Sequence, residues 1–295
     1  MRSVKNHYSH SQSSYDGCEI ALTTKHNKSH ALKDKFQKIL NASIIEYNVD
    51  TDTLGTFSGE VTREGSAIDC ARKKCEWALS DLNKNFKYAI ASEGSFGPHP
   101  LFPMIACDQE ILYFIDKNRD FHLHMIHISE NTNYFMNTFE SYEDLYKILN
   151  KIKFPSHAII IRPNVVKIGH PIFKGLNEEQ LLKDAFNECQ KISSDGKVWL
   201  ETDMRAHLNP SRMQVISELA EKFALRLASC CMKCKSPGWG KISQETGLPC
   251  QICKSSTEMI RYEIFGCVKC QNKERRDRSD GKFFADPGSC NYCNP

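Results

Sequence analysis

No apolar run in these 295 residues approaches the roughly 18 that a membrane-spanning helix needs, which excludes such a helix. The first 17 residues are rich in Ser, His, Asn and Tyr and lack the apolar stretch of a secretory signal. The expected setting is the cytoplasm, with residues 1–17 as a loose, disordered tail. A strong charge imbalance is missing too: 39 Lys and Arg face 36 Asp and Glu, a net charge of +3, which disfavours a protein that coats nucleic acid along its length. Aromatic residues, by contrast, are not scarce. At 10% of a chain that is 40% hydrophobic, they exclude disorder overall and supply a core for one large domain or two modest ones.

The 14 cysteines divide the chain into two chemistries. Five (Cys18, Cys70, Cys75, Cys107, Cys189) are scattered over the first 229 residues, and nine lie between Cys230 and Cys293. Eight of the nine form Cys-x-x-Cys pairs: Cys231/Cys234, Cys250/Cys253, Cys267/Cys270 and Cys290/Cys293. A two-residue gap lets two thiolates of one tight turn face the same ion, and two such knuckles complete a closed tetrahedral site. Two structural Zn2+ sites are therefore expected in a zinc-ribbon-like module at 230–295. The competing disulfide framework needs an oxidising compartment that nothing in the sequence supports. The pairs are separated by 15, 13 and 19 residues, and two pairings are open. The sequential one, knuckle one with two and three with four, is preferred over a nested one that joins two with three across the strand-like Thr257 to Phe265. Cys230, beside the first knuckle, reads as a lone buried thiol. From Ser229 to Pro295, 11 Lys and Arg face 7 acids, but two centres of four thiolates would each carry a charge of about −2 and bring the module near neutrality. Nucleic acid is accordingly the less favoured partner, and Lys273-Glu-Arg-Arg-Asp-Arg278 reads as a solvated loop.

Residues 18–229 read as one α/β domain. Glu19 to Thr24, Ser43 to Val49 and Tyr88 to Ala91 have strand character, and Ser29 to Leu40 and Gly65 to Leu82 carry apolar residues at helical spacing. This alternation predicts a mainly parallel sheet flanked by helices, with ligand sites beyond the carboxyl ends of strands. Further on, Glu110 to Asp116 and His157 to Arg162 read as strands, and Glu140 to Lys151, Glu178 to Ser193 and Met213 to Ala228 as helices.

Three stretches carry candidate chemistry. Thr23-Thr-Lys-His-Asn-Lys28 links strand to helix, where backbone amides with Lys25 and Lys28 favour an anion; an ordinary helix start with solvated lysines is the plain alternative. Ser92-Glu-Gly-Ser-Phe-Gly-Pro-His-Pro100 reads as a tight turn after a buried strand, with Glu93 as a Mg2+ ligand, a general base or a structural carboxylate. Upstream of it, Asp50, Asp52 and Glu60 offer oxygen ligands beside Arg63, which suits a magnesium–phosphate site. Glu201 to Met213 packs Glu201, Asp203, Arg205, His207, Asn209 and Arg212 at a strand-to-helix junction, as a site or as a capping network built on Asn209 or Ser211 with Pro210. His122, His124 and His127 read as surface histidines rather than a metal face.

Together, Asp52-Thr-Leu-Gly-Thr-Phe-Ser-Gly-Glu60, Ala91-Ser-Glu-Gly-Ser-Phe-Gly-Pro-His-Pro100, Glu201-Thr-Asp-Met-Arg-Ala-His-Leu-Asn-Pro210 and the terminal Cys-x-x-Cys pairs resemble a bacterial family catalogued as a domain of unknown function. A weaker similarity is to house-cleaning nucleotide pyrophosphatases of the inosine triphosphatase type. It rests on a Thr-and-Lys loop after the first strand, an Ala-x-x-x-Ala-Arg-Lys-Lys helix and a strand ending in carboxylate-Gly-Ser. That similarity implies Mg2+-dependent attack of water on a nucleotide, with Glu93 in the metal or base position. It also implies Lys25, Lys28 and Lys74 on phosphates and His207 or Arg212 near base or phosphates. The family's Thr-x-Asn-x-x-Lys spacing is shifted here, its acidic pair is the single Glu93, and its Ser-His-Arg motif is absent.

The resulting expectation is a zinc-binding protein that hydrolyses a nucleotide or other phosphoester. Its catalytic residues would be Glu93, Glu60 and His207, and its substrate contacts Lys25, Lys28, Arg63, Lys74, Ser95, Asp203, Arg205 and Arg212. The alternative is an adaptor whose zinc module binds RNA or a protein. Glu60, Glu93, Arg205 and His207 are expected to share one cleft.

Overall fold

A computed structural model of the chain describes residues 13–25, 27–55, 63 and 65–295. In chain order the elements are β1 (Glu19–Thr23), α1 (Ser29–Leu40), β2 (Ser43–Tyr47), α2 (Ala67–Ser80), β3 (Tyr88–Pro98), β4 (Ala106–Asp116) and β5 (Phe121–Ser129). There follow β6 (Met136–Phe139), α3 (Tyr142–Ile148), β7 (Ile159–Pro163), β8 (Phe173–Leu176), α4 (Glu179–Ile192), β9 (Val198–Thr202) and α5 (Pro210–Ala228). Three short strands close the chain: β10 (Gly240–Thr246), β11 (Ile260–Gly266) and β12 (Lys273–Asp277).

The strands form three sheets, ordered β2-β1-β3-β4-β5, β6-β9-β7-β8 and β10-β11-β12. Only β1 with β2 and β1 with β3 pair in parallel; every other ladder is antiparallel. The fold is mixed α/β, and the expected mainly parallel sheet is corrected. The cause lies in β3, which does not end at Ala91. It runs on through Glu93, Gly94 and Phe96 to Pro98 and pairs over its full length with β4, so most of the stretch read as a tight turn belongs to an eleven-residue strand.

Local sequence explains the helices. Ser66 caps α2 in a capping box with Asp69, and Asn209 caps α5 by accepting from the Arg212 amide, with Pro210 in the first helical turn. Of the two readings of the Glu201 to Met213 stretch, the capping network is present in this form. On one side of the large sheet, α1 and α5 bury Leu32, Phe36, Ile216, Leu219 and Phe223 against Ile20, Leu22, Leu112 and Phe114. On the other, α2 packs Ala71, Cys75 and Ala78 against Ala89, Ala91 and Tyr113. Each fully buried Leu, Ile or Phe contributes roughly 1.5–3 kcal/mol. The second sheet has its own core of Leu145, Ile159, Leu182, Phe186 and Leu200. Residues 18–229 thus hold two sheets with separate cores. Of the expected tail, residues 1–12 lie outside the described residues. Tyr15 is fully buried, stacks edge-on against Tyr88 and Phe114, and donates to Asp116 at 3.1 Å. No described helix is long and apolar enough to cross a membrane.

Candidate functional site

Because α1 and α2 pack on opposite faces, the order β2-β1-β3 makes the gap between β1 and β3 a topological switch point, where ligand crevices open beyond strand carboxyl ends. β1 stops at Thr23, opposite Ala91, and leaves β3 from Ser92 onward without a β1 neighbour. The freed carbonyls are taken by cations: Lys28 Nζ donates to the Ser92 carbonyl at 3.0 Å, and Arg63 Nη2 to that of Gly94 at 2.9 Å. Over this edge lies β9 with the loop that follows it. The two sheets enclose a cleft of about 680 Å³, within the range of small-molecule sites.

Among the described residues, six cationic side chains line the cleft (Lys25, Lys28, Arg63, Lys74, Lys174, Arg205) against three carboxylates (Glu93, Glu201, Asp203). The carboxylates are engaged. Buried Glu93 pairs with Lys74 through one oxygen and with Arg63 at 3.5 Å through the other. Burial pushes its carboxyl up, but Lys74, Lys28 and Arg63 outweigh that and hold it below the usual range. Asp203, fully buried, accepts from Arg205 Nη2 at 2.6 Å and from the Gly175 amide at 3.1 Å. Gly175 has φ +73°, and a Cβ there would crowd Arg205 and Leu208 at 3.3 Å. Asp50 pairs with Lys25 at 2.9 Å. Ser95 Oγ accepts from Arg63 at 3.0 Å. Burial is the main cause that lowers the buried Lys28 ammonium to about 7, aided by Arg212 and Lys74 and opposed by Glu110 and Glu93. Partial desolvation, and next the charge of Arg205, lower the exposed His207 imidazole against the opposing pull of Asp203.

The structure therefore brings Lys25, Lys28, Arg63, Lys74, Glu93, Ser95, Asp203, Arg205 and His207 to one cleft. Glu60 lies outside the described residues, with the rest of 56–62, and so does the Asp52 side chain. Arg212 is corrected: it does not line the cleft but is buried beneath it, 1% exposed. There its Nε donates to Glu110 at 2.6 Å and Nη1 to the Met204 carbonyl, tying the two sheets together. The sequence reading missed Phe96, Tyr134, Met136 and Ile160, which give the cleft an apolar wall, and Lys174 on β8. Phe96 and Tyr134 stack at 6.0 Å. A polar cleft between two sheets leaves no local motif, and of that wall only Ile160 fell in a stretch read as a strand, His157 to Arg162.

The cysteines form two groups, Cys231/Cys234/Cys267/Cys270 and Cys250/Cys253/Cys290/Cys293. This interleaved pairing overturns both the sequential and the nested expectation. β10 and β11 run antiparallel with Gly240 opposite Gly266, so knuckle one, before β10, meets knuckle three, after β11. β12 carries the chain back to the other end, where knuckle four meets knuckle two. Sequential pairing fails because the length of β10 separates the first two knuckles. Sulfur pairs lie 3.5–3.8 Å apart, near the about 3.8 Å that a tetrahedron with Zn–S of about 2.3 Å requires. Lys269 and Cys270 amides donate to Cys267 Sγ at 3.3 Å, as suits a thiolate. The donor set fits a closed structural zinc site at each end of the small sheet. Among the described residues these are the two groups of three or more His, Cys, Asp or Glu side chains gathered closely enough to hold an ion. Cys230 is exposed, not buried, within 3.7 Å of Ser14 Oγ. His127 faces α5, away from His122 and His124, which stack on Tyr113.

A family model described as a domain of unknown function, DUF6671, matches residues 74–295, about three quarters of the chain. No curated protein and no solved structure matches.

Proposed function

The chain belongs to the DUF6671 family, and from that premise, which supplies no activity, we propose that it binds and hydrolyses a phosphorylated small molecule of the nucleotide class in the cleft between its two sheets. The observation that carries this reading is the six-to-three excess of cations over carboxylates, among the described residues, in a partly apolar cleft. An anion neutralises that excess. Lys28, Lys74 and Arg63 form the floor on which phosphate oxygens are held, with Arg205, Lys174 and Lys25 around it. The Phe96–Tyr134 wall takes the planar part of the ligand.

Glu93 has both oxygens on cations and is held ionised, which makes it a positioning group for Lys74 and Arg63 rather than a base. His207, which lines the cleft, is the group suited to accept a proton from an attacking water. Mg2+ belongs to this reading as an ion that arrives with the ligand, held by its phosphate oxygens. Zinc is the proposed occupant of both cysteine groups, with a scaffolding role. The alternative of nucleic-acid binding through the module has less support, because Lys241, Arg276 and Arg278 already pair with Glu263, Glu274 and Asp280.

The test is a hydrolysis screen of nucleoside triphosphates and phosphoesters, with and without Mg2+ or Mn2+, on zinc-loaded wild type and His207→Ala. Turnover that falls about 100-fold or more in the variant while ligand still binds supports the reading. Turnover that is absent in wild type, or unchanged in the variant, removes it.

A further inference from the structure

Away from the cleft, β5 is the edge of the large sheet: it pairs with β4 on one side and, among the described residues, with no strand on the other. It is nine residues long, and an edge of that length presents a row of unpaired backbone N–H and C=O groups. A second groove, of about 530 Å³, lies along it. Five consecutive β5 residues, from His122 to Ile126, line this groove, so the strand meets it with its backbone edge as well as its side chains. The opposite wall is Arg226 of α5 with Lys241 and Ile242 of β10, itself the edge of the small sheet.

The permanent charges that line this groove are the cations Arg226 and Lys241. Its titratable side chains are His122, His124, Arg226 and Lys241, and no carboxylate lines it among the described residues. Lys241 reaches Glu263 at 2.7 Å, whereas half-buried Arg226 donates from Nε to the Gly238 carbonyl and pairs with no carboxylate among the described residues. Apolar contact is on offer as well, since Ile126 is 46% and Ile242 43% exposed.

We propose that this groove binds an extended acidic peptide segment of a partner protein, which adds a strand to the outer edge of β5 and sets a carboxylate against Arg226. Main-chain hydrogen bonds to the β5 edge supply affinity, and the two flanking walls read alternate side chains of the added strand. Charge complementarity selects an acidic over a basic sequence. The segment lies against the seam between the large sheet and the zinc-binding module, so it contacts both.

Four fluorescent probes on the zinc-loaded full chain test this. They are a peptide of alternating Glu and Val, its Lys–Val counterpart, a Glu–Val peptide interrupted by prolines that cannot complete a ladder, and an oligouridine. The Glu–Val peptide binds; the Lys–Val and proline-containing peptides and the RNA bind at least about tenfold more weakly. Arg226→Gln weakens the Glu–Val peptide about tenfold or more, as expected for losing a hydrogen bond to a charged group, and Arg226→Lys weakens it less. Circular dichroism checks that both variants are folded, and hydrogen exchange shows new protection between residues 122 and 128. Absence of Glu–Val binding, equal binding of the RNA, the Lys–Val or the proline-containing peptide, an affinity unmoved in folded Arg226→Gln, or no new protection in β5 would each overturn the proposal.

Discussion

Replacing Arg212 with Met tests whether this residue is a structural tie rather than a substrate contact. Its side chain and that of Glu110 are both 0% exposed, and Nε donates to the carboxylate at 2.6 Å. The same guanidinium donates to the Met204 carbonyl, so one residue of α5 joins β4 of the large sheet to the segment that follows β9 of the second. A buried pair need not exceed a hydrophobic replacement in stability, but removing one partner leaves the other charged and desolvated, at a cost of about 3–5 kcal/mol. Arg212→Met should therefore lower unfolding stability by about that amount at pH 7. Glu110→Gln in the same chain removes the stranded charge and should restore about half or more of the loss. Urea denaturation of the four proteins of this cycle, followed by tryptophan fluorescence and with zinc held saturating, gives the numbers. A loss below about 1 kcal/mol in Arg212→Met, or no suppression by Glu110→Gln, would refute the buried-tie reasoning and return Arg212 to the list of ligand contacts.

Burial, and next the charge of Glu110, raise the Asp108 carboxyl to about 8 against the opposing pull of Arg212. The folded state then keeps a proton that the unfolded chain releases near pH 4, so stability falls as pH rises from about 4 to about 8 and levels off above. Asp108→Asn should stabilise the protein at pH 8, by up to about 5 kcal/mol, and change little at pH 4, as thermal unfolding at the two pH values will show. Lys28, lowered to about 7, must be protonated to hold an anion, so phosphate-ligand affinity should weaken as pH rises through 7 and binding at pH 7.5 should take up a proton. Calorimetry in buffers of different ionisation enthalpy measures that uptake. For the cysteines, Cys234→Ser with Cys267→Ser should cost one zinc per chain, whereas Cys234→Ser with Cys253→Ser should cost both, as counted by metal analysis. Sequential pairing predicts that the first double variant loses both ions and the second loses one.

The succession β1, α1, β2, α2 was legible because each element carries its own period, down to the bounds Ser29–Leu40 of the first helix. The antiparallel half was not. Gly94, Gly97 and Pro98 read as punctuation, yet Gly94 is a strand glycine required by close approach: a Cβ there would lie 2.5 Å from Arg212 and 2.6 Å from Glu110. Its reason resides on residues far away in sequence, where no local pattern reaches. The same holds for Arg212, whose partner is 102 positions distant. Cys-x-x-Cys spacing announced the ligands but not their pairing, because the pairing follows from the antiparallel course of β10 and β11. The polar run Gly240–Thr246 gave little sign of being a strand. Candidate cleft residues were legible where they crowd into short polar motifs, as at Glu93 and His207, and illegible where a single residue such as Lys174 or Tyr134 arrives from the second sheet.

The measurement that bears most directly on the central claim is calorimetric titration of the zinc-loaded protein with nucleoside triphosphates and with pyrophosphate at pH 6.5, beside Lys74→Gln. Lys74 lines the cleft, and in its absence Glu93 keeps Arg63 as a partner. The account predicts saturable binding to wild type that weakens about tenfold or more in the folded variant. No binding of any phosphoanion at millimolar concentration, or equal affinity in Lys74→Gln, would contradict it.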